Sequence, residues 1–165
     1  MVLTVRYADL NKNDFINGEG ISVSLWVQGC PHHCKGCHNP EQWNFEGGKY
    51  INNQLLIEEI FAALTENGIQ RNFSVLGGEP LAPQNINDTW EILWHVKRKF
   101  PDIKTYVWTG YTLEELYKLY ESSKETLLEN VDVLIDGRFE LKQRDVTLKL
   151  RGSSNQRILY KGVNF

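Results

Sequence analysis

The sequence predicts an α/β fold, a single-domain partial (open) β/α barrel covering residues 1–165, on three observations. Short β-branched and aromatic runs alternate with segments of helical periodicity, so that each helix can serve as the crossover between two parallel strands. The polar motifs of the chain follow predicted strands, at the end where ligands gather in such architectures. The length is short for a full eight-stranded barrel, which takes about 250 residues.

Ile21, Val23, Leu25 and Val27 alternate with Ser22, Ser24, Trp26 and Gln28, a strand with one apolar face that ends at Gly29-Cys30. Asn52 or Asn53 can cap a helix carrying Leu56, Ile57, Ile60, Phe61 and Leu64, with Gly68 just beyond its end. Phe73 to Leu76 is a short buried strand stopped by Gly77-Gly78-Glu79-Pro80. Trp90, Leu93, Trp94 and Val96 mark a helix that Pro101 terminates, and Ile103 to Thr109 reads as the next strand. Thr112 and Glu115 have the spacing of a capping box, ahead of an apolar stripe of Leu113, Leu116, Tyr117 and Tyr120. Val131 to Ile135 makes a strand ending at Asp136-Gly137, and Arg157 to Tyr160 a last one. No repeat, low-complexity tract or linker divides the chain.

Hydrophobic residues make up 41% of the 165, including five Trp, which supplies a core and excludes general disorder. The net charge of −3 argues against a dedicated nucleic-acid binder. No stretch approaches the roughly 20 apolar residues of a membrane span. The N-terminus shows no secretory pattern, so a cytoplasmic location is expected.

All three cysteines lie between positions 30 and 37, in Cys30-Pro-His-His-Cys34-Lys-Gly-Cys37. An odd, crowded set is a poor disulfide framework and points to metal or redox chemistry. Three thiolates on one loop can wrap a 4Fe–4S cubane, whose fourth iron stays open or takes another ligand, since ordinary ferredoxin runs supply a fourth cysteine. A zinc site completed by His32, His33 or His38 is the competing reading, although zinc sites usually draw on two separate knuckles and there is no second one here. Three buried cysteines without a metal are a third. Gly77-Gly78-Glu79-Pro80 is an ordinary turn taken alone. It gains meaning from the cysteine loop about forty residues upstream, because glycines let backbone approach a ligand and Glu79 can accept hydrogen bonds from an ammonium.

The C-x3-C-x2-C loop and the Gly-Gly-Glu-Pro turn resemble those of the radical S-adenosylmethionine (SAM) superfamily. Asn17-Gly18-Glu19-Gly20, Gln28-Gly29-Cys30, Cys37-His38-Asn39-Pro40 and Trp43 are similar to the activating enzymes of glycyl radical proteins. Trp108-Thr109-Gly110-Tyr111, Asp136-Gly137-Arg138 and Arg151 to Arg157 narrow the resemblance to the family that activates anaerobic ribonucleotide reductase. Ser22 departs from it, where an Arg is more usual. The resemblance implies a barrel of the radical SAM type in which Cys30, Cys34 and Cys37 ligate one 4Fe–4S cluster. It implies SAM contacts from Gly36, Cys37, His38, Asn39, Gly77, Gly78 and Glu79, with Thr109 and Asp136 as further candidates, and no acid–base catalyst. Asp136 reads equally as a helix cap. The implied reaction is reductive cleavage of SAM to a 5′-deoxyadenosyl radical, which takes hydrogen from a C-terminal glycine of the reductase. The implied partners are the large subunit of that reductase and an external electron donor such as flavodoxin, with no nucleic acid or membrane. Another glycyl radical activase, a deazaguanine-type synthase, or a zinc or electron-transfer module are the alternatives.

Seven cations between Arg138 and Lys161 face only Glu140 and Asp145, a basic segment on an acidic chain. It is read either as solvated surface or as a guide for the reductase, with Arg151 and Arg157 as direct contacts. The pairs Glu58-Glu59 and Glu114-Glu115 are read as solvated helix faces, and His95 as structural.

Overall fold

In the computed structural model, which describes residues 4–165, the chain forms one mixed seven-stranded sheet with three α-helices. The strands are β1 (Thr4–Asp14), β2 (Ser22–Val27), β3 (Lys49–Asn52), β4 (Asn72–Gly77), β5 (Thr105–Trp108), β6 (Val133–Asp136) and β7 (Arg157–Tyr160). Helices α1 (Asn53–Thr65), α2 (Ile86–Lys99) and α3 (Leu113–Leu119) lead into β4, β5 and β6. Strand order is β3-β1-β2-β4-β5-β6-β7. The centre, β2-β4-β5-β6, is parallel because helices return the chain each time. β1, β3 and β7 pair antiparallel.

The α/β class and the alternation match the expectation, but the sheet is richer in strands. β1 and β3 were not anticipated: the outer half of β1 is largely exposed and polar, and β3 has only four residues, so neither alternates legibly. β7 runs antiparallel because no α-helix separates it from β6, only the 3-10 turn Leu141–Gln143.

Local chemistry sets the helix ends. Asn52, not Asn53, caps α1, accepting from Gln54 N at 2.8 Å and Leu55 N at 3.3 Å. Asn53 is buried and donates to Asp88 and Glu91, tying α1 to α2. α1 stops at Thr65, and a 3-10 turn follows in which Asn67 takes a positive φ of 56°. The capping box of α3 is present in both directions, Thr112 with Glu115.

All three helices pack on one face of the sheet. Val23, Leu25, Phe73, Val75, Val107 and Leu134 meet Leu56, Ile60, Ile92, Val96 and Leu116 there. The opposite face carries Tyr106, Val133 and Ile135, with Trp108, Leu150 and Ile158 against them. Ser22, Ser24 and Ser74 alternate with the helix-facing residues yet are fully buried. The loop after β1 covers them, Ser74 Oγ donating to Asn17 O at 2.6 Å. The polar side of β2 is therefore interior. Ser22 lies directly under Gly18, whose Cβ position would be 2.4 Å from Ser22 Oγ, so this loop leaves little room for a longer residue. Among the described residues no helix is long and apolar enough to cross a membrane.

Candidate functional site

Parallel order brings the C-terminal ends of β2, β4, β5 and β6 to one rim, and with them Cys30, Gly77 to Glu79, Thr109-Gly110 and Asp136-Gly137. The cysteine loop is anchored at its base: Gly29 N donates to Gln42 O at 2.8 Å and Cys30 N to Trp43 O at 3.1 Å. Gln28 Nε2 donates to Glu41 O and Asn44 O. Gly36 takes φ +78° and Cys37 N closes a turn on Cys34 O at 3.1 Å. Asn39 N points at Cys37 Sγ, 3.4 Å away.

Cys30, Cys34 and Cys37 are free thiols and line one pocket of about 150 Å3, together with His32, Asn39, Trp43 and the Gly77-Gly78 turn. Burial pushes the Cys30 thiol up to about 11, with Glu79 adding to the rise, and burial raises Cys34 as well. Both hold their protons at neutral pH unless a positive metal centre supplies the charge that releases them. Among the described residues no three His, Cys, Asp or Glu side chains close on a single-ion position. The thiols instead share the wall of one pocket, a soft donor set of the kind iron–sulfur clusters take.

Glu79 is wholly buried and its carboxylate is full. Oε1 accepts from Leu81 N at 2.9 Å and Thr109 Oγ1 at 2.8 Å, while Oε2 accepts from Gly110 N at 2.7 Å and meets His32 Nε2 at 2.7 Å. These partners come from the end of β5 and from the cysteine loop, so Glu79 binds three rim segments together. No acceptor position is left on it for an ammonium. Thr109 is committed likewise, donating to Glu79 and accepting from Tyr111 N at 3.1 Å. Asp136 accepts from Leu113 N at 2.7 Å, capping α3, and from Arg157 Nε at 2.9 Å. It braces the rim, while the neighbouring Gly137 faces the pocket.

Arg157 also grips Glu114, Nη2 to Oε2 at 2.7 Å, and holds that carboxyl down at about 2. Arg157 is thus spent inside the chain rather than offered to a partner. Glu114 and Glu115 are no plain solvated face either, since Glu115 completes the capping box and receives Arg138. Glu58 and Glu59 are exposed as expected.

A second cavity of about 450 Å3 adjoins the cysteine pocket, sharing Cys37, Asn39, Gly77, Trp108, Phe139 and Gln156 with it. It runs over the helix-free face of the sheet past Trp26, Leu76 and Leu150, with His38, Arg144 and Arg151 on its wall. The structure brings the cysteines, Asn39, the Gly77-Gly78 turn and Thr109 to one pocket and His38 to the next, with Gly36 exposed behind them against Leu141. Sequence reasoning missed Phe139, which no motif flags, and Gln156, which lies in the Arg151 to Arg157 stretch but was given no role there, and it assigned His32 only to zinc, though its place inside the cysteine spacing was a signal.

The two glycines of the turn answer to backbone. A Cβ on Gly78 would fall 2.4 Å from Gly29 O, and Gly77 holds φ +108° against Val27. Gly78→Val is therefore expected to push the Gly29-Cys30 segment aside and lower iron content along with SAM binding. Full iron content with only SAM affinity reduced would show instead that the glycine answers to the ligand.

An α/β sheet whose rim gathers three free thiols defines a class, the single-cluster iron–sulfur proteins. A family model described as a 4Fe-4S single cluster domain matches residues 16–159. The chain is similar to the anaerobic ribonucleoside-triphosphate reductase-activating proteins of Haemophilus influenzae (39% identity over 153 residues, 92% of this chain and 96% of that protein) and Vibrio cholerae (40% over 144 residues, 87% and 90%). The protein of the same name from Enterobacteria phage T4 is 37% identical over 154 residues, 93% of each chain. The chain belongs to this family of activating proteins.

Proposed function

We propose that this chain activates an anaerobic ribonucleotide reductase by installing a glycyl radical near the C-terminus of its large subunit. The observation that carries the reading is the pocket walled by Cys30, Cys34 and Cys37 against the Gly77-Gly78 turn. The three thiolates hold one 4Fe–4S cluster, and Gly36 to Asn39 with Gly77 and Gly78 frame the place of SAM. Bound there, cluster and SAM supply a 5′-deoxyadenosyl radical that removes one hydrogen from the reductase glycine. Glu79 fixes the geometry of this frame rather than touching SAM, and Asp136 and Arg157 hold the rim beside it. The second cavity, walled by Trp26, Trp108 and Leu150, keeps water from the radical once the reductase segment covers it. The sheet, whose edge strands β3 and β7 do not pair with each other, is read as an open barrel of the radical SAM type. An external one-electron donor of the flavodoxin kind supplies reducing equivalents, in the cytoplasm.

The test is anaerobic. Reconstituted protein, SAM and a reductant are mixed with the reductase, and a glycyl doublet is sought by electron paramagnetic resonance. SAM cleavage without that doublet would favour another radical SAM reaction, and stoichiometric zinc without iron would reject the reading.

Lys142, Arg144 and Lys149 are exposed, and Arg144 lines the second cavity. Replacing all three by Ser is expected to slow association with the reductase about tenfold at low salt and to flatten its salt dependence. SAM cleavage without the reductase should stay near normal. Equal association rates at low salt would show the patch to be solvated surface only.

A further inference from the structure

Lys35 and Gly36 stand exposed between Cys34 and Cys37. Leu141 packs on this stretch, since a Cβ on Gly36 would lie 3.0 Å from its Cδ1. Around that contact is a cleft of about 270 Å3, lined by Lys35, Phe139, Glu140, Leu141 and Lys142. The segment that supplies its far wall is tied to the fold, Glu140 N donating to Ser153 Oγ at 3.1 Å and Ser154 N to Gln143 O at 2.9 Å. Phe139 lines both the cleft and the cysteine pocket. Its backbone N–H also meets the Cys34 thiol, working against the rise that burial gives it. The exterior and the thiols therefore share a wall here. With the second cavity the cleft shares Phe139 alone, so a reductase segment lying over that cavity leaves the cleft open. Lys35 and Lys142 are exposed and, among the described residues, neither is in an ion pair. The carboxylate of Glu140 accepts from Gln143 Nε2 instead. Leu141, nearly half exposed, completes an apolar spot beside two free cations.

We propose that the cleft of Lys35, Leu141 and Lys142 is the docking site of the one-electron donor, a flavin protein with carboxylates around the exposed edge of its cofactor. The inference rests on the reading that Cys30, Cys34 and Cys37 hold a reducible 4Fe–4S cluster. Electron transfer falls off steeply with distance, so the donor must dock where the surface comes nearest the thiols. The reductase segment occupies the second cavity, and the cleft reaches the same thiols from outside the loop. Electron-transfer encounters are small and brief, burying less than about 1,200 Å2 in all, so a patch of this size suffices. Unpaired lysines draw an acidic partner and raise its rate of encounter, and the apolar Leu141 lets the flavin edge approach without trapped water. The donor's flavin passes from anionic hydroquinone to neutral semiquinone as it gives one electron to the oxidised cluster. No proton moves and no bond in the chain is made or broken.

Lys142 also belongs to the basic segment assigned to the reductase, so the test rests on Lys35. The reconstituted full chain is mixed under anoxia with hydroquinone flavodoxin, and the semiquinone is followed by stopped-flow absorbance. Lys35→Glu should slow its appearance about tenfold at low salt, with the difference shrinking as salt rises. Iron content, and the extent of reduction by excess dithionite, should match the wild type. Independently, a carbodiimide should join carboxylates of oxidised flavodoxin to Lys35 of the wild-type chain, located by peptide mass spectrometry. That measurement decides the matter alone if Lys35→Glu fails to hold iron. Equal rates at low salt and full iron content, or crosslinks that spare Lys35, overturn the assignment. If the wild type takes up no iron, the cluster reading falls, while the crosslink, which needs no cluster, still decides where flavodoxin docks.

Discussion

Replacing Cys34 with alanine is expected to abolish iron binding and SAM cleavage together. The three thiols stand on one short loop tied at its base to Gln42 and Trp43, and no other cysteine exists to take over. Three protein ligands already leave one iron of a cubane without a cysteine, so a two-thiolate variant cannot retain a stable cluster. The loss should exceed the 10- to about 100-fold that removing a mere outer-shell partner costs a metal site. Anaerobic reconstitution followed by iron analysis and detection of 5′-deoxyadenosine checks both readouts on one sample. Full iron with full cleavage in Cys34→Ala would reject the ligand assignment.

The second large effect belongs to Glu79, and it concerns the fold as much as the chemistry. Glu79→Ala strips the acceptors from Leu81 N, Thr109 Oγ1 and Gly110 N and leaves His32 without its partner, all at a site closed to solvent. Breaking a buried, hydrogen-bonded charge site in this way costs about 3–5 kcal/mol. Equilibrium unfolding in urea should show that loss as a lower midpoint, and SAM binding should fall as the cysteine loop and the end of β5 come apart. Glu79→Gln should lie between, because the amide keeps the acceptor toward Leu81 and Thr109 but turns N–H groups toward Gly110 N–H. A Glu79→Ala variant within about 1 kcal/mol of the wild type would mean that the carboxylate is not the tie its geometry implies.

Local chemistry was legible in the sequence and long-range commitment was not. The capping box of α3, an Asn cap of α1 at 52 or 53, and strands β2, β4 and β7 follow from propensity and periodicity within a few residues of themselves. β1 escaped because only Val5, Tyr7 and Asp14 along it are buried, so its pattern resembles a polar loop. The cysteine pocket was readable because its three thiols are consecutive on one loop. The tasks of Glu79 and Asp136 were not, because their partners lie far along the chain: His32, Thr109 and Gly110 for one, Leu113 and Arg157 for the other. A carboxylate after a strand offers acceptors either to a ligand or to its own fold, and only the folded arrangement says which. Gly78 follows the same logic, since the atom that forbids a side chain there belongs to Gly29.

Both free edges of the sheet are four-residue strands, β3 and β7, carrying exposed Lys49 and Arg157. Short, charged edges are poor templates for strand addition from another molecule. The half-exposed thiols on the rim are a different liability, because thiols that no metal protects can be oxidised in air and joined between chains, even where burial keeps them largely protonated and slows the reaction. In air, a sample stripped of iron is therefore prone to covalent crosslinking through Cys30, Cys34 and Cys37 rather than to amyloid-like stacking, and a thiol reductant rather than a change of solvent is what keeps it dispersed.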